Sequence, residues 1–367
     1  MPDLGEYQRA GVDYSILDRV KRAAVERAVA TSVLLGATGA REVAGSRGAV
    51  AYVLEIGGLT LAMVTEGLGT KSIIAEDYLA QSGESRFADI AVDAVAAIVN
   101  DVISVGANPV VVTAYFATAD AAWYTDDRKS LELLAGWQRA CEISGAAWGG
   151  GESPALPGLL TGAGIELGGS ALAVVPVGRR PVFGEDVRPG DRIVALPSSG
   201  LHANGASLAR RVAAALPSRL LTPLPSGRAL GAALLDPSIL YPPFVRALLQ
   251  SPVRPHFLNP ITGHGLLKLM RSPAEVRYVL DQLPDVPEVL DFLARQTGMA
   301  PPEAYATLNM GIGYVAIVGA EDADQTVDIA RRAGYQALVA GEVVAGEKSV
   351  SVPSLGIEYS GDDLKLA

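Results

Sequence analysis

From residue 14 to 35, apolar and charged positions alternate at roughly helical spacing, as in "ILDRVKRAAVERAV", and a helix is expected there. Two strand-like runs follow, "AVAYVLEI" and "LTLAMVT", and Gly57-Gly58 between them predicts a hairpin. "FADIAVDAVAAIVNDVISVG" has helical periodicity and stops at Gly106, a helix end. "PVVVTAYFA" reads as a buried strand, "RKSLELLAGWQRACEISG" as a helix and "GGSALAVVPVG" as a further strand. The second half repeats the alternation: "DRIVALPSSG" strand, "ASLARRVAAAL" helix, "MGIGYVAIVG" strand, "ADQTVDIARRAG" helix. The pattern predicts two α/β units in series, with "VGRRPVFGEDVRPGD" marking a boundary near residue 178 and domains of 1–178 and 179–367. No short-period repeat or low-complexity tract interrupts it.

Composition supports this division. A chain of 367 residues that is 49% hydrophobic exceeds what a single core usually holds. No uncharged apolar run reaches about 18 residues, so no membrane span is expected. The charged stretch "MPDLGEYQRAGVDYSILDRVKR" does not read as a signal peptide. One cysteine, Cys141, excludes an intramolecular disulfide and a multi-cysteine zinc site, and a cytoplasmic protein is expected. The net charge of −10, with no basic run, argues against nucleic-acid binding. It leaves nucleotides open as ligands, because a metal ion can neutralise phosphates.

Against that background, "MVTEGLGTK" is unusual, because an apolar run ends abruptly on Glu66, Gly67, Gly69, Thr70 and Lys71. An acid and an amine held close by glycines suit a metal–phosphate site, although an exposed loop ion pair gives the same letters. On the following helix Asp93 and Asn100 lie seven residues apart, hence on one face, and Asp101 interrupts the apolar "AIVNDVISV". A charge there is costly unless paired or metal-bound. "WGGGESP" adds Glu152 behind Gly150 and Gly151, where a backbone can approach a ligand closely or simply turn. Glu66, Asp93, Asp101 and Glu152 make a candidate oxygen-ligand set for Mg2+. In "LPSSGLHANGASLARR", Ser199, Gly200, Asn204 and Gly205 precede a helix start, a natural anion site, and His202 lies among them. "NPITGHGLLKLMR" sets His264 between two glycines, with Arg271 just beyond, and "TLNMGIGYVAIV" contributes Asn309. No P-loop, dinucleotide fingerprint or nucleophile elbow occurs.

Taken together and in order, "YQRAGVDY", "TEGLGTK", "IVNDVISVGANPVVVTAYFA", "GGGES", "PGDRIVALPSSGLHANGASLARR", "ITGHG" and "TLNMGIGYVAIV" resemble the aminoimidazole ribonucleotide synthetase family, also called phosphoribosylformylglycinamidine cyclo-ligase. The resemblance runs from about residue 6 to 345. It places the chain in an ATP-binding superfamily with selenophosphate synthetase, thiamine-monophosphate kinase, a hydrogenase maturation factor and formylglycinamidine synthetase. It implies an N-terminal mixed sheet that joins a partner's sheet in a dimer-interface barrel, a C-terminal α/β sandwich-like domain, a homodimer, and ATP with Mg2+. It further implies a reaction in which ATP phosphorylates a formamide oxygen and a nitrogen then closes the imidazole ring. Lys71, His202 and His264 are the catalytic candidates on this reading. The phosphate-binding candidates are Gly67, Gly69, Thr70, Lys71, Asn100, Gly150, Gly151, Ser199, Gly200, Asn204, Gly205 and Asn309. The sequence departs from the family pattern at Glu66 (aspartate in the family), Ala114 (an acid), Pro260 (histidine) and His264 (glycine).

Overall fold

A computed structural model describes residues 14–162 and 164–364, so most of the "YQRAGVDY" stretch lies outside the described residues. Its first unit is built on a six-stranded sheet, ordered β1-β2-β3-β6-β4-β5 and curled as a half-barrel. The strands are β1 Arg41–Glu42, β2 Tyr52–Ile56, β3 Leu59–Gly67, β4 Asn108–Thr118, β5 Ala147–Glu152 and β6 Ile165–Val174. Gly57 and Gly58, at φ +57° and +79°, make the two-residue turn that sets Ile56 opposite Leu59 in the β2–β3 hairpin. All pairings in this sheet are antiparallel except β4 with β5.

Helices α1 Tyr14–Ala30, α2 Lys71–Ser82, α3 Phe87–Val102 and α4 Asp127–Ser144 belong to the same unit. Helix α3 is buried along nearly its whole length, which explains why it is apolar on almost every face. Helix α4 crosses α3 with Gly136 against it: a Cβ at Gly136 would stand 2.1 Å from the Ala88 carbonyl oxygen.

The second unit carries a seven-stranded sheet, ordered β13-β12-β9-β11-β7-β10-β8. Its strands are β7 Arg192–Pro197, β8 Phe257–Pro260, β9 Arg277–Leu280, β10 Ile312–Val318, β11 Leu338–Val344, β12 Ser349–Val352 and β13 Ile357–Ser360. β10 is buried at every position, so its sequence is continuously apolar rather than alternating. Helix α5, Ala206–Ala215, follows the loop after β7 and buries one face. The expected mixed α/β class is the observed one.

Two expected features are different in the structure, and four strands went unread. "WGGGE" is not a free glycine loop but the edge strand β5, where Gly151 lies so close to β4 that a Cβ would stand 2.0 Å from the Ala114 oxygen. Lys71 is not a loop residue but the first residue of α2. The short strands β8, β9, β12 and β13 carry too few residues for a period to be read, and only their pairing defines them.

Candidate active site between the two units

A cavity of about 350 Å3 opens between the units, and both contribute to its wall. Glu66, Asn100 and Asp101 reach it from the first unit. His202, His264 and Lys268 are among the residues that reach it from the second. A larger groove of about 600 Å3 runs beside β11, but its arginines are committed, Arg192 to Glu342 and Arg331 to Asp328. The cavity between the units is therefore the place where the chemistry-bearing motifs converge.

Several predicted site residues prove to hold the two units together. The Lys71 ammonium is fully enclosed, 2.6 Å from Asp93 Oδ2, and it donates to the His202 carbonyl at 2.8 Å. Asp93 Oδ1 accepts from the Ser238 amide at 2.9 Å and the Ser238 hydroxyl at 2.5 Å. Burial pushes the Asp93 carboxyl upward, opposed by the ammonium and by both Ser238 donors. One turn-pair along the same face, Asn100 donates to the Ile239 carbonyl at 2.9 Å and accepts from the Tyr241 amide at 3.0 Å. The seven-residue spacing of Asp93 and Asn100 thus places both on the face of α3 that grips segment 238–241. Lys71 is thus not among the residues lining the cavity, and the Asp93 carboxylate faces Lys71 and Ser238.

The loop after β7 is held in the same way. Asn309 Oδ1 accepts from the Ser198 hydroxyl at 2.8 Å and the Gly311 amide at 3.0 Å, while its Nδ2 donates to the Gly200 oxygen at 2.8 Å. Ser199 donates its hydroxyl to the Pro237 oxygen at 2.6 Å, and Thr70 pairs with the Ser207 hydroxyl at 3.0 Å. His202 adopts φ +59°, and its Nε2 faces the Ser199 amide at 3.1 Å and the Ile239 amide at 3.5 Å. Two donors fix Nε2 as the acceptor, so the ring proton sits on Nδ1. Burial, reinforced by the Lys71 charge, pushes the imidazole down to about 3. His202 is consequently held neutral, with Nε2 turned toward those two amides. Gly205, at φ +96°, has Leu308 and Leu201 within 2.9 Å of a would-be Cβ. Gly69 donates its amide to Glu166 at 3.3 Å, and Gly67 has the same carboxylate 3.0 Å from its would-be Cβ. Asn204 does line the cavity.

The remaining acids divide. Glu66 and Asp101 meet on the cavity wall, where Asp101 hydrogen-bonds to Glu66. Burial raises the Asp101 carboxyl, against the pull of Lys268 and Arg271. Glu152 instead lines a groove on the sheet's outer face, with Gly151, Tyr115 and an edge of Glu66. Among the described residues no three His, Cys, Asp or Glu side chains come together as a metal cage. The set of four acids therefore does not fit a resident Mg2+. Glu66 lines both openings.

Sequence reasoning missed Lys268, Thr262, Ser238 and Glu166. A lysine within the apolar run "GLLKLMR" is the signal that identifies Lys268, since a cation there is buried only at a cost. No comparable signal marks Ser238.

Two α/β units that meet at a cleft lined by acids and cations define the arrangement, and known proteins share it. Family models for AIR synthase related protein match residues 48–175 as its N-terminal domain and residues 188–353 as its C-terminal domain. The chain belongs to the AIR synthase related protein family. It is 34% identical over 347 residues to a phosphoribosylformylglycinamidine cyclo-ligase of Methanococcus maripaludis, covering 94% of this chain and 93% of the relative. The cyclo-ligase of Thermococcus kodakarensis is 32% identical over 353 residues, covering 96% and 99%. Among solved structures, hydrogenase maturation protein HypE in complex with ATP superposes with a TM-score of 0.56 at 19% identity, covering 82% of this chain and 83% of that one. AaThiL complexed with AMPPCP and TMP gives 0.57 at 17% identity, covering 85% and 90%. At these identities the two structures speak to the fold.

Proposed function

We propose that the chain is an ATP-dependent cyclo-ligase of purine biosynthesis that converts formylglycinamidine ribonucleotide to aminoimidazole ribonucleotide. The observation that carries this reading is the end-to-end similarity to proteins of that name, joined to a charged cavity where the two family domains meet. In the reaction the formamide oxygen attacks the γ-phosphorus of ATP, and ADP leaves. The amidine-side nitrogen then attacks the activated carbon, the C–O bond breaks with its electron pair going to phosphate, and the nitrogen loses a proton. His264 and the Glu66 and Asp101 carboxyls are groups on the wall that would take that proton. Holding nitrogen and carbon together in an enclosed cavity supplies the proximity the ring closure needs. Mg2+ enters with ATP as part of the substrate.

A second reading, a paralogue that activates a different carbonyl or phosphate acceptor, is supported by the position of the departures. Glu66 and His264 lie on the cavity itself, and Ala114 lies on the outer groove. A coupled assay for aminoimidazole ribonucleotide, or rescue of a purine auxotroph lacking the cyclo-ligase, separates the two. Product and rescue support the first reading; ATP turnover without that product supports the second.

We also propose a homodimer formed through the outer face of the first sheet. That face leaves Met63 (46%) and Tyr115 (41%) exposed, large apolar side chains that a second copy would cover. Sedimentation should give a dimer, and Tyr115→Lys should shift it toward monomer; a parent protein that sediments as an active monomer would remove this proposal. Among the described residues no helix is long and apolar enough to cross a membrane.

A further inference from the structure

The short 3-10 helix Gly265–Arg271 is entered through His264 in the left-handed region, at φ +72°. A 3-10 helix has three residues per turn, so side chains at i and i+3 eclipse. Lys268 and Arg271 stand in that relation, and both reach the cavity between the units. Leu266, Leu267, Leu269 and Met270 fill the spaces between them with buried apolar side chains.

Neither cation has the full set of hydrogen-bond acceptors a buried charge ordinarily finds. Lys268 is 6% exposed, and among the described residues its ammonium donates to the Thr262 hydroxyl alone. The Arg271 Nε is buried without a hydrogen-bond partner. Among the described residues neither side chain closes an ion pair, although Asp101 and Glu66 lie near enough to act on both through space. The contrast with Lys71 is instructive, because that equally buried lysine is saturated by a carboxylate and a carbonyl. The two carboxyls offset part of the cost of enclosing two cations, which still hold donors unused by the protein. In a chain of net charge −10, such a pair on a cavity wall is not a by-product of composition.

We propose that Lys268 and Arg271, with the Thr262 hydroxyl, form an anion subsite that takes a phosphate group entering the cavity. The ammonium supplies a point charge and the guanidinium a planar fork, the combination that suits a tetrahedral dianion. Two sources carry this chemistry: the phosphate monoester of a phosphoribosyl substrate and the triphosphate tail of ATP. The first is the source we assign, and that assignment rests on the proposed cyclo-ligase reading; the anion subsite itself does not.

The test uses the full chain and titration calorimetry with ribose 5-phosphate, ribose and AMPPCP, on the parent and on Lys268→Met and Arg271→Met. The expected result is that the parent binds ribose 5-phosphate and not ribose. Each variant should lose about tenfold or more in ribose 5-phosphate affinity, the worth of one charge-assisted hydrogen bond, with AMPPCP affinity unchanged. Circular dichroism spectra matching the parent's check that both variants fold, and the ligand affinities decide the outcome. Loss confined to AMPPCP keeps the subsite and moves it to the nucleotide tail. Unchanged affinity for both ligands in both variants, or a parent that binds neither, overturns the proposal. A parent that binds ribose 5-phosphate through these residues but forms no aminoimidazole ribonucleotide keeps the subsite and rejects the cyclo-ligase.

Discussion

The Lys71–Asp93 pair offers the sharpest test of the reassignment from phosphate chemistry to domain clamp. Both side chains are 0% exposed, at 2.6 Å, so removing one partner strands the other without water. Asp93→Asn leaves an enclosed ammonium whose remaining acceptor is the His202 carbonyl. The expected cost is about 3–5 kcal/mol, set by the uncompensated charge rather than by the worth of the pair. That is a large share of a stability on the order of 5–15 kcal/mol. At a urea slope of roughly 1–3 kcal/mol per molar, the midpoint falls by at least about 1 M. Lys71→Met should behave alike, but less severely, because both Ser238 donors still satisfy one Asp93 oxygen. The double variant Lys71→Met with Asp93→Leu removes both charges and should recover much of the loss, giving a strong favourable coupling in the cycle. Urea unfolding followed by circular dichroism reads all four proteins, and AMPPCP titration with and without Mg2+ reads the site. An Asp93→Asn protein as stable as the parent, yet no longer sensitive to Mg2+ in nucleotide binding, would refute the clamp and restore Asp93 as a metal ligand.

Three further outcomes follow from the geometry. His202 has a folded-state pKa of about 3 against roughly 6.5 when unfolded. The unfolded chain therefore binds more protons between those values, so stability is complete above about pH 6.5 and is lost as pH falls toward 3. His202→Asn, a residue that tolerates the left-handed backbone, should flatten that acid slope in a stability–pH series; an unchanged slope assigns it to other groups. His264→Gly should relieve the φ +72° backbone and raise stability by roughly 1 kcal/mol, while lowering kcat/KM about 100-fold in the cyclo-ligase assay; full activity would make the imidazole a passenger. Gly151→Ala drives a Cβ to 2.0 Å from the Ala114 oxygen and should cost about 1–3 kcal/mol by prising β5 from the sheet edge, read as a lower melting temperature and weaker dimer; parental values for both would contradict the close packing seen there.

The local pattern determined a great deal on its own. Periodicity alone delimits α3, α4 and α5, because an amphipathic or wholly buried helix writes its 3.6-residue repeat into the chain. Gly57-Gly58 specifies the β2–β3 hairpin, since few other pairs accept two positive φ values. The same local reading singled out Glu66, Asp101 and His264, and the structure brings all three to one cavity. What it could not supply is the partner of each charge. Lys71 opens one helix and Asp93 lies in the next, and only packing turns one buried ammonium into a clamp while another, Lys268, faces a cavity. Asp93 resembles a ligand in the sequence because a buried carboxylate needs a cation, and a lysine and a metal answer that need equally well. Ser238 carries no signal at all, for its work is to satisfy a carboxylate more than 100 residues away, and Asn309 was legible as a polar residue but not as the brace of the Gly200 loop. Periodicity is a property of neighbours along the chain, whereas the compensation of a buried charge is a property of neighbours in space; the first is written locally, and the second exists only once the two units have closed on each other.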